Sequence, residues 1–367
     1  MRMDAIRFSQ FDGEAWSTPQ EVVQLETTIL PGIDLAYDGS TPLIAYLGGE
    51  EGLQVCGGTD LMIARPSGDS WTEMAAVAMS NEAPEGDDCP KGQGMCDFGD
   101  VVGLWPSMDV APDGTIGVAY RDVHNGYTKE ADESSDLEWA YAASGATSWA
   151  HQWIDLGRGS GLYNSLKFTA DNMGAIAYYN GKHGMLTFSL QGEERFTEMT
   201  QCGTTDDCPE HMVCESGWCW VDIYGPATLP EKSFSLAIGN DGRFLVAYYN
   251  VDQGRLMIAH SVDGLQWEQG SVDTDGNTGR NPIIIVDPQT GQPGIAYYRC
   301  SDGSDSCDRN DDGVRYAHFT GTYPDELTSR AQWEKVTISD KGLGNDGVKL
   351  DAAEQKDGSV GIAYTYS

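Results

Sequence analysis

A phrase repeated six times, an apolar residue followed by alanine and tyrosine, restricts this chain more than anything else in it. The copies sit in LIAYLGG, IGVAYRD, AIAYYNG, LVAYYNV, GIAYYRC and SVGIAYTYS, and they place Tyr46, Tyr120, Tyr178, Tyr248, Tyr297 and Tyr364 at corresponding points. Ahead of each copy lies a strand-like segment closed by a turn, as in MDVAPDGT and LAIGNDGR. Behind the first five come a second strand, a turn and an aromatic, as in LMIARPSGDSW and RLMIAHSVDGLQW; the aromatics are Trp71, Trp149, Phe196, Trp267 and Trp333. One repeat is therefore four short strands, A to D, with Ala-Tyr on B and the aromatic on D. Strands broken by turns at this spacing leave no room for long helices.

Four-strand repeats of about 40–50 residues stack as blades round an axis, so six of them predict an all-β, six-bladed β-propeller. The last copy has no C or D strand after it. DAIRFSQFDGEAWSTPQEVV near the N-terminus carries the missing pattern, with Trp16 in the aromatic slot. From Tyr364 round through both ends to Tyr46 is 49 residues, the same as from Tyr248 to Tyr297. The expectation is a single propeller over residues 1–367 whose last blade is closed by N-terminal strands. On that plan the tyrosines and D-strand aromatics pack blade on blade. The inner-strand residues Asp34, Asp109, Lys167 and Lys349 are expected to form ion pairs between blades.

Charge and cysteine usage set the environment. With 57 acidic against 22 basic residues and a formal net charge of −35, the chain repels phosphate backbones and anionic lipid, which argues against nucleic-acid binding. No apolar run approaches the roughly 20 residues of a membrane span, so membrane insertion is not expected. Cys202, Cys208, Cys214 and Cys219 fall among hydrophilic spacers, which predicts a disulfide knot inserted at 201–220. A zinc site is the rival, but the tight CxxC pairs it prefers are missing. Of the three possible connectivities, the alternate one is expected, Cys202 with Cys214 and Cys208 with Cys219. Cys300 with Cys307 and Cys89 with Cys96 would close two further loops, leaving Cys56 over. Such cysteine usage implies a secreted or cell-surface protein. MRMDAIRFSQ lacks an apolar signal core, so an export signal is expected to have been removed.

The long connections are D–A and B–C, which a four-stranded meander puts on one face, and loops on a rigid scaffold are where binding and catalysis concentrate. Trp105, Tyr163, Trp218 and Trp220 lie in or beside D–A connections, where exposed rings would stack on the apolar faces of sugars. In DRNDDG, Asp308, Asn310 and Asp312 alternate as oxygen ligands before the turn glycine, the opening of a calcium loop, although Phe319 stands where an EF-hand has its closing Glu. Asp273-Thr-Asp275-Gly is a weaker version. Arg121, His124, His183 and Arg299 are the candidates for a catalytic cluster.

SVDGLQW, Ser261–Trp267, resembles the Asp-box of the BNR, sialidase-like propellers. The resemblance implies a turn between the third and fourth strands and agrees with six blades. The early Arg-Ile/Leu-Pro motif of that family is absent, so its arginine triad, Tyr–Glu pair and Asp acid transfer to no residue here. The expected function is a calcium-stabilised module that binds a glycan or an extracellular protein. The alternative is a polysaccharide-acting glycoside hydrolase or lyase with its site at the loop-rich channel mouth.

Overall fold

The computed structural model describes residues 4–10, 15–25, 32–48, 60–68, 70–73, 77, 101–123, 135–155, 159–191, 201–215, 217–230, 233–300, 312–339, 350–354 and 357–364. The chain divides into two compact units, Met1–Gly174 with Gln191–Glu198, and Ala175–Leu190 with Met199–Ser367. Among the described residues no helix is long and apolar enough to cross a membrane.

Unit 1 opens with a hairpin of β1 (Asp4–Phe8) and β2 (Gln20–Leu25). A four-stranded antiparallel meander follows: β3 (Ile33–Asp38), β4 (Thr41–Gly48), β5 (Asp60–Ser67) and β6 (Ser70–Glu73). A second meander contains β7 (Val101–Val110), β8 (Thr115–Val123), β9 (Ser135–Ala143) and β10 (Ala150–Asp155), and then comes β11 (Leu162–Phe168). Unit 2 holds the antiparallel pair β12 (Gly174–Asn180) and β13 (Met185–Leu190), and a small hairpin of β14 (Met212–Glu215) and β15 (Trp218–Val221). Two further meanders are β16 (Phe234–Ile238), β17 (Phe244–Asn250), β18 (Arg255–Ser261) and β19 (Glu268–Asp273), then β20 (Asn277–Val286), β21 (Pro293–Cys300), β22 (Gly313–Phe319) and β23 (Trp333–Ser339). The pair β24 (Leu350–Glu354) and β25 (Val360–Tyr364) ends the series. The protein is all-β, and Ala-Tyr falls on the second strand of every full meander.

Those second strands read as apolar runs because both of their faces are covered. Tyr46, Tyr120, Tyr178, Tyr248 and Tyr297 are all 4% exposed or less, whereas Tyr364 is 36% exposed. Leu43, Ile63, Val102 and Val118 form the core between the two meanders of unit 1. Leu245, Ile258, Ile284 and Ile295 do the same in unit 2. The terminal pairs add a layer each. The β1–β2 hairpin lays Ile6, Val22 and Val23 against Ile44, Tyr46 and Ala64 of the first meander. The β24–β25 pair lays Leu350 and Ile362 against Ala296, Tyr298 and Val314 of the last. Burying one such aliphatic side chain stabilises by about 1.5–3 kcal/mol.

A first strand has a partner on one side only, so alternate N–H groups on its open edge need acceptors from elsewhere. Side chains of the preceding first strand supply them. Asp34 Oδ2 accepts from the Met108 amide at 2.7 Å, Ser107 Oγ from Leu166 at 3.0 Å, and Asp109 Oδ2 from Phe168 at 2.8 Å. In unit 2, Ser235 Oγ accepts from the Ile284 amide at 2.8 Å. This corrects one of the expected ion pairs, since none joins Asp109 to Lys167; the other, Asp34 with Lys349, involves a residue outside the described ones. The physical reason is that a carboxylate beside an unpaired amide makes a charge-assisted bond, whereas an Asp–Lys pair open to water gains little.

The cysteine-rich insertion pairs Cys202 with Cys214 and Cys208 with Cys219, with Cα–Cα distances of 5.9 and 5.4 Å. Cys214 and Cys219 face each other across the β14–β15 hairpin, yet each bonds outward, which ties the hairpin to the preceding turn. SVDGLQW forms the turn between β18 and β19. Asp263 Oδ1 accepts from the amides of Leu265 and Gln266 at 2.8 and 2.9 Å, and the Trp267 indole donates to Gly264 O at 3.0 Å. The Trp267 ring packs edge-on against Phe188, with centroids 5.2 Å apart.

Candidate functional site

The starts of β7 and β20 share a double irregularity. Pairing slips at Gly103 and again between Leu104 and Ser107 in one, and at Gly279 and between Arg280 and Ile283 in the other. Both glycines have positive φ, +99° and +105°, and a Cβ there would lie 2.8 and 2.7 Å from the Cα of Leu61 and Leu256. Only glycine allows that approach. Two residues on, Trp105 is left-handed at φ +47° and Asn281 at +49°, and Tyr163 repeats the conformation at +53°, two residues after Gly161. Asparagine tolerates this region; a bulky aromatic held there costs about 1–3 kcal/mol.

In unit 1 the strained backbone brings two rings together. Trp105 and Tyr163 meet edge-on, with centroids 5.1 Å apart at 79°. The Arg121 guanidinium lies 5.5 Å from the centre of the Trp105 ring and donates through Nη2 to Ser135 Oγ at 2.8 Å. Asn164 donates through Nδ2 to the Trp105 carbonyl at 2.9 Å. Trp105 Nε1 and Asn164 Oδ1 are both buried, and neither has a hydrogen-bond partner among the described residues. One orphan donor and one orphan acceptor thus accompany the aromatic pair. A buried polar group without a partner costs about 1–3 kcal/mol, so the two mark this as a second point of stored cost beside the strained backbone.

Acidic groups fill the interior of the same sheet. Register pairs Tyr120 with Glu138 and Asp122 with Asp136. Asp122, Asp136, Glu138 and Asp155 are 0, 9, 1 and 1% exposed. Tyr120 donates to Glu138 Oε2 at 2.5 Å and lies 3.3 Å from His151 Nδ1, while Ser160 donates to Asp155 Oδ2 at 2.5 Å. Burial, then the charges of Glu138 and Asp155, push the Asp136 carboxyl up to about 7. Burial and Glu138 raise the Tyr120 phenol well above its ordinary value, and burial pushes His151 down, which keeps its ring neutral near pH 7. A carboxylic acid still protonated near neutrality is fit to donate a proton.

The other sequence-derived candidates fall as follows. Arg121 is 3% exposed, held beneath Trp105, so it supports that ring and is not an open clamp. His183 lies in unit 2, 5.5 Å from the Trp220 ring. Trp220 is corrected as a ligand platform: it is 2% exposed and donates to Glu215 O at 3.0 Å, because the disulfide-tied hairpin needs an apolar side chain beneath it. Trp218 is half-buried in the same hairpin. Arg299 donates through Nε to Asp275 O at 2.9 Å. Asp273 and Asp275 are both engaged by the Arg315 guanidinium at 3.0 Å, so that short acidic turn is ion-paired rather than open to a cation. Asp312 is fully buried, and Cys300 is disulfide-bonded. Cys89, Cys96, His124, Cys307, Asp308 and Asn310 lie outside the described residues. Sequence reasoning missed Asp136 and Glu138. Comparing the residue opposite each repeat tyrosine would have found Glu138, since the copies carry Met62, Glu138, Thr187, Met257 and Arg315 there.

No protein-family model matches the sequence, and the search of curated proteins finds no match. Among solved structures, the chain is similar to a protein of unknown function from Dyadobacter fermentans at 13% identity, covering 91% of this chain and 90% of that one with a TM-score of 0.51. A Hadza microbial sialidase is similar at 16% identity over 90% of this chain and 62% of its own, with a TM-score of 0.48. The Aleuria aurantia lectin is similar at 14% identity over 92% and 89%, with a TM-score of 0.43. At these identities the likeness concerns the fold, and the Dyadobacter match is the one of the three that supports it.

Proposed function

We propose that this chain is a secreted or cell-surface six-bladed propeller whose function is to bind a glycan, with Trp105 and Tyr163 as the sugar platform. In this reading β24–β25 and β1–β2 together make the sixth blade. Support comes from the layers they add to the last and first meanders, the neighbours a sixth blade has in a ring. One observation carries the binding reading: two large rings are held at φ +47° and +53° beside an orphan indole N–H and an orphan amide oxygen. Strain concentrates where a ligand makes use of it. A sugar offers apolar C–H faces for the rings and hydroxyls for the two polar groups. An extracellular protein presenting a polar loop would use the same groups.

Calcium belongs to the proposal. Asp312, a carboxylate with no exposure at the end of the DRNDDG loop, fits the oxygen set of a hard cation. Calorimetric titration of chelated protein should show heat and a higher melting temperature; neither change would remove the ion.

Glycan-array binding tests the main reading. Binding that falls at least about tenfold in Trp105→Ala, with melting temperature kept, is expected from loss of a stacking ring. Unchanged binding would overturn it. The second reading, a glycoside hydrolase or lyase, is favoured by Asp136, protonated up to about pH 7. New reducing ends or unsaturated sugars that vanish in Asp136→Asn would establish it.

A further inference from the structure

In a chain with 57 acidic and 22 basic residues, a place where cations outnumber carboxylates needs a reason. Unit 2 has one. A cleft of about 390 Å³ between the end of β19 and the outer strand β23 is lined by Asp273, Asp275, Arg315, Arg330 and Lys335, with the hydroxyls of Thr274 and Thr337. Arg299 joins its rim, with Nη2 at 3.6 Å from Asp275 Oδ2.

The charges divide into two sets. Asp273 is 2% exposed and accepts from Tyr297 at 2.6 Å and from Arg315 Nη1 at 3.0 Å. Asp275 accepts from Arg315 Nη2 at 3.0 Å. Arg315 and Arg299 therefore balance the two carboxylates and form a neutral floor. Arg330 stands outside this balance, and Lys335 lies within Coulombic reach of Asp275 without forming an ion pair with it. Arg330 donates to the Thr274 hydroxyl, and Lys335 to the Val272 carbonyl at 3.2 Å. Both side chains are exposed, and neither forms an ion pair among the described residues. Among the described residues, four cations against two carboxylates leave the wall with two positive charges, in a protein of net charge −35. Solvated lysines and arginines normally find carboxylates on so acidic a surface. Here the partners are a hydroxyl and a carbonyl, both of which leave donors free.

We infer that this cleft binds the oxyanion of an acidic sugar, a sulfate ester or a uronate carboxylate, between Arg330 and Lys335. The Thr274 and Thr337 hydroxyls complete the donor set. The neutral floor keeps Arg315 from collapsing onto the ligand, and the acidic remainder of the chain repels anions everywhere else, so the cleft discriminates by position. The site stands apart from the Trp105–Tyr163 reading, since its residues all belong to unit 2.

Isothermal titration at low salt, with N-acetylglucosamine 6-sulfate, glucuronate, inorganic sulfate and neutral N-acetylglucosamine as probes, tests this. Binding of an anionic probe with none by the neutral sugar is expected. Affinity should weaken as sodium chloride rises, since the pairs are exposed. The exposed double variant Arg330→Ala/Lys335→Ala should lose at least about tenfold in affinity, the loss of charge-assisted hydrogen bonds, with melting temperature kept. Trp105→Ala should leave this binding alone. Whichever of sulfate ester and glucuronate binds more tightly identifies the source. Equal binding of the neutral sugar, unchanged affinity in the double variant, or no anion bound at all would overturn the site; binding of inorganic sulfate alone would reduce it to a non-specific ion contact and equally overturn it.

Discussion

Tyr120 in unit 1 and Tyr297 in unit 2 occupy the same repeat position, both are 0% exposed, and they meet opposite chemistry. Across the strand pair, Tyr120 faces Glu138 and Tyr297 faces Arg315. Tyr120 donates to a carboxylate among further buried carboxylates. Tyr297 donates to Asp273, which Arg315 neutralises. The backbone and the buried ring are common to both. One polar residue on the third strand decides whether the buried tyrosine faces a carboxylate or an ion-paired arginine. A propeller-type repeat can therefore keep its packing and vary its electrostatics copy by copy.

The comparison breaks most severely if the cation of unit 2 is removed. Arg315→Ala strands buried Asp273 and should cost about 3–5 kcal/mol in urea unfolding, against less for Arg315→Ala combined with Asp273→Asn. If the single variant loses under about 1 kcal/mol, the network is not what holds this region.

The next test is pH. Asp136 has its folded pKa raised to about 7, so the folded state holds that proton more tightly than the unfolded chain. Its contribution is then favourable below the ordinary carboxylate range and is lost as pH rises towards about 7. A rise of that size corresponds to an order of a few kcal/mol. Asp136→Asn should flatten the stability profile between about pH 4 and pH 7, read by urea unfolding at each pH. Asp275 goes the other way: its hydrogen bond to Arg315 holds the carboxyl below the usual range, so its contribution is present above the unfolded pKa and lost as pH falls through the folded one. Asp275→Asn should flatten only the acidic limb. Profiles of the same shape for both variants would erase the contrast.

A smaller effect separates charged from neutral acceptors. Tyr120→Phe removes a donor from Glu138 and should cost about 1.5–3 kcal/mol, whereas Tyr248→Phe removes one from the neutral Gln269 amide, 2.6 Å away, and should cost about 1 kcal/mol. The smallest concerns strain. Trp105→Asn installs the residue that Asn281 shows to suit this bulge, so stability should hold or rise by about 1 kcal/mol while glycan binding is lost. A destabilised Trp105→Asn would mean that the ring serves packing.

Much of the architecture was legible because burial is periodic. The Ala-Tyr strands, the four-strand meanders and the turn of SVDGLQW each follow from local apolar pattern and from residues whose chemistry demands a turn. The knot was legible in its cysteine spacing, and its pairing matched the one chosen from three connectivities that the spacing leaves open. The ion pairs assigned to Asp109 and Lys167 were misread. A sequence does not say which backbone amides are left without partners, and it was the Phe168 amide that took the Asp109 carboxylate. Trp220 was misplaced for a similar reason, since exposure depends on what a hairpin is folded against.

What the sequence determined alone, then, is everything set by neighbours along the chain: strand and turn, the all-β class, the insertion and the acidic surface. Tertiary structure decided everything that requires two distant segments to meet. It set Trp105 against Tyr163, gathered Asp122, Asp136, Glu138 and Asp155 away from water, and left Arg330 and Lys335 without an ion pair among the described residues. Charge and strain take their values from distance and burial, and those exist only once the chain is folded.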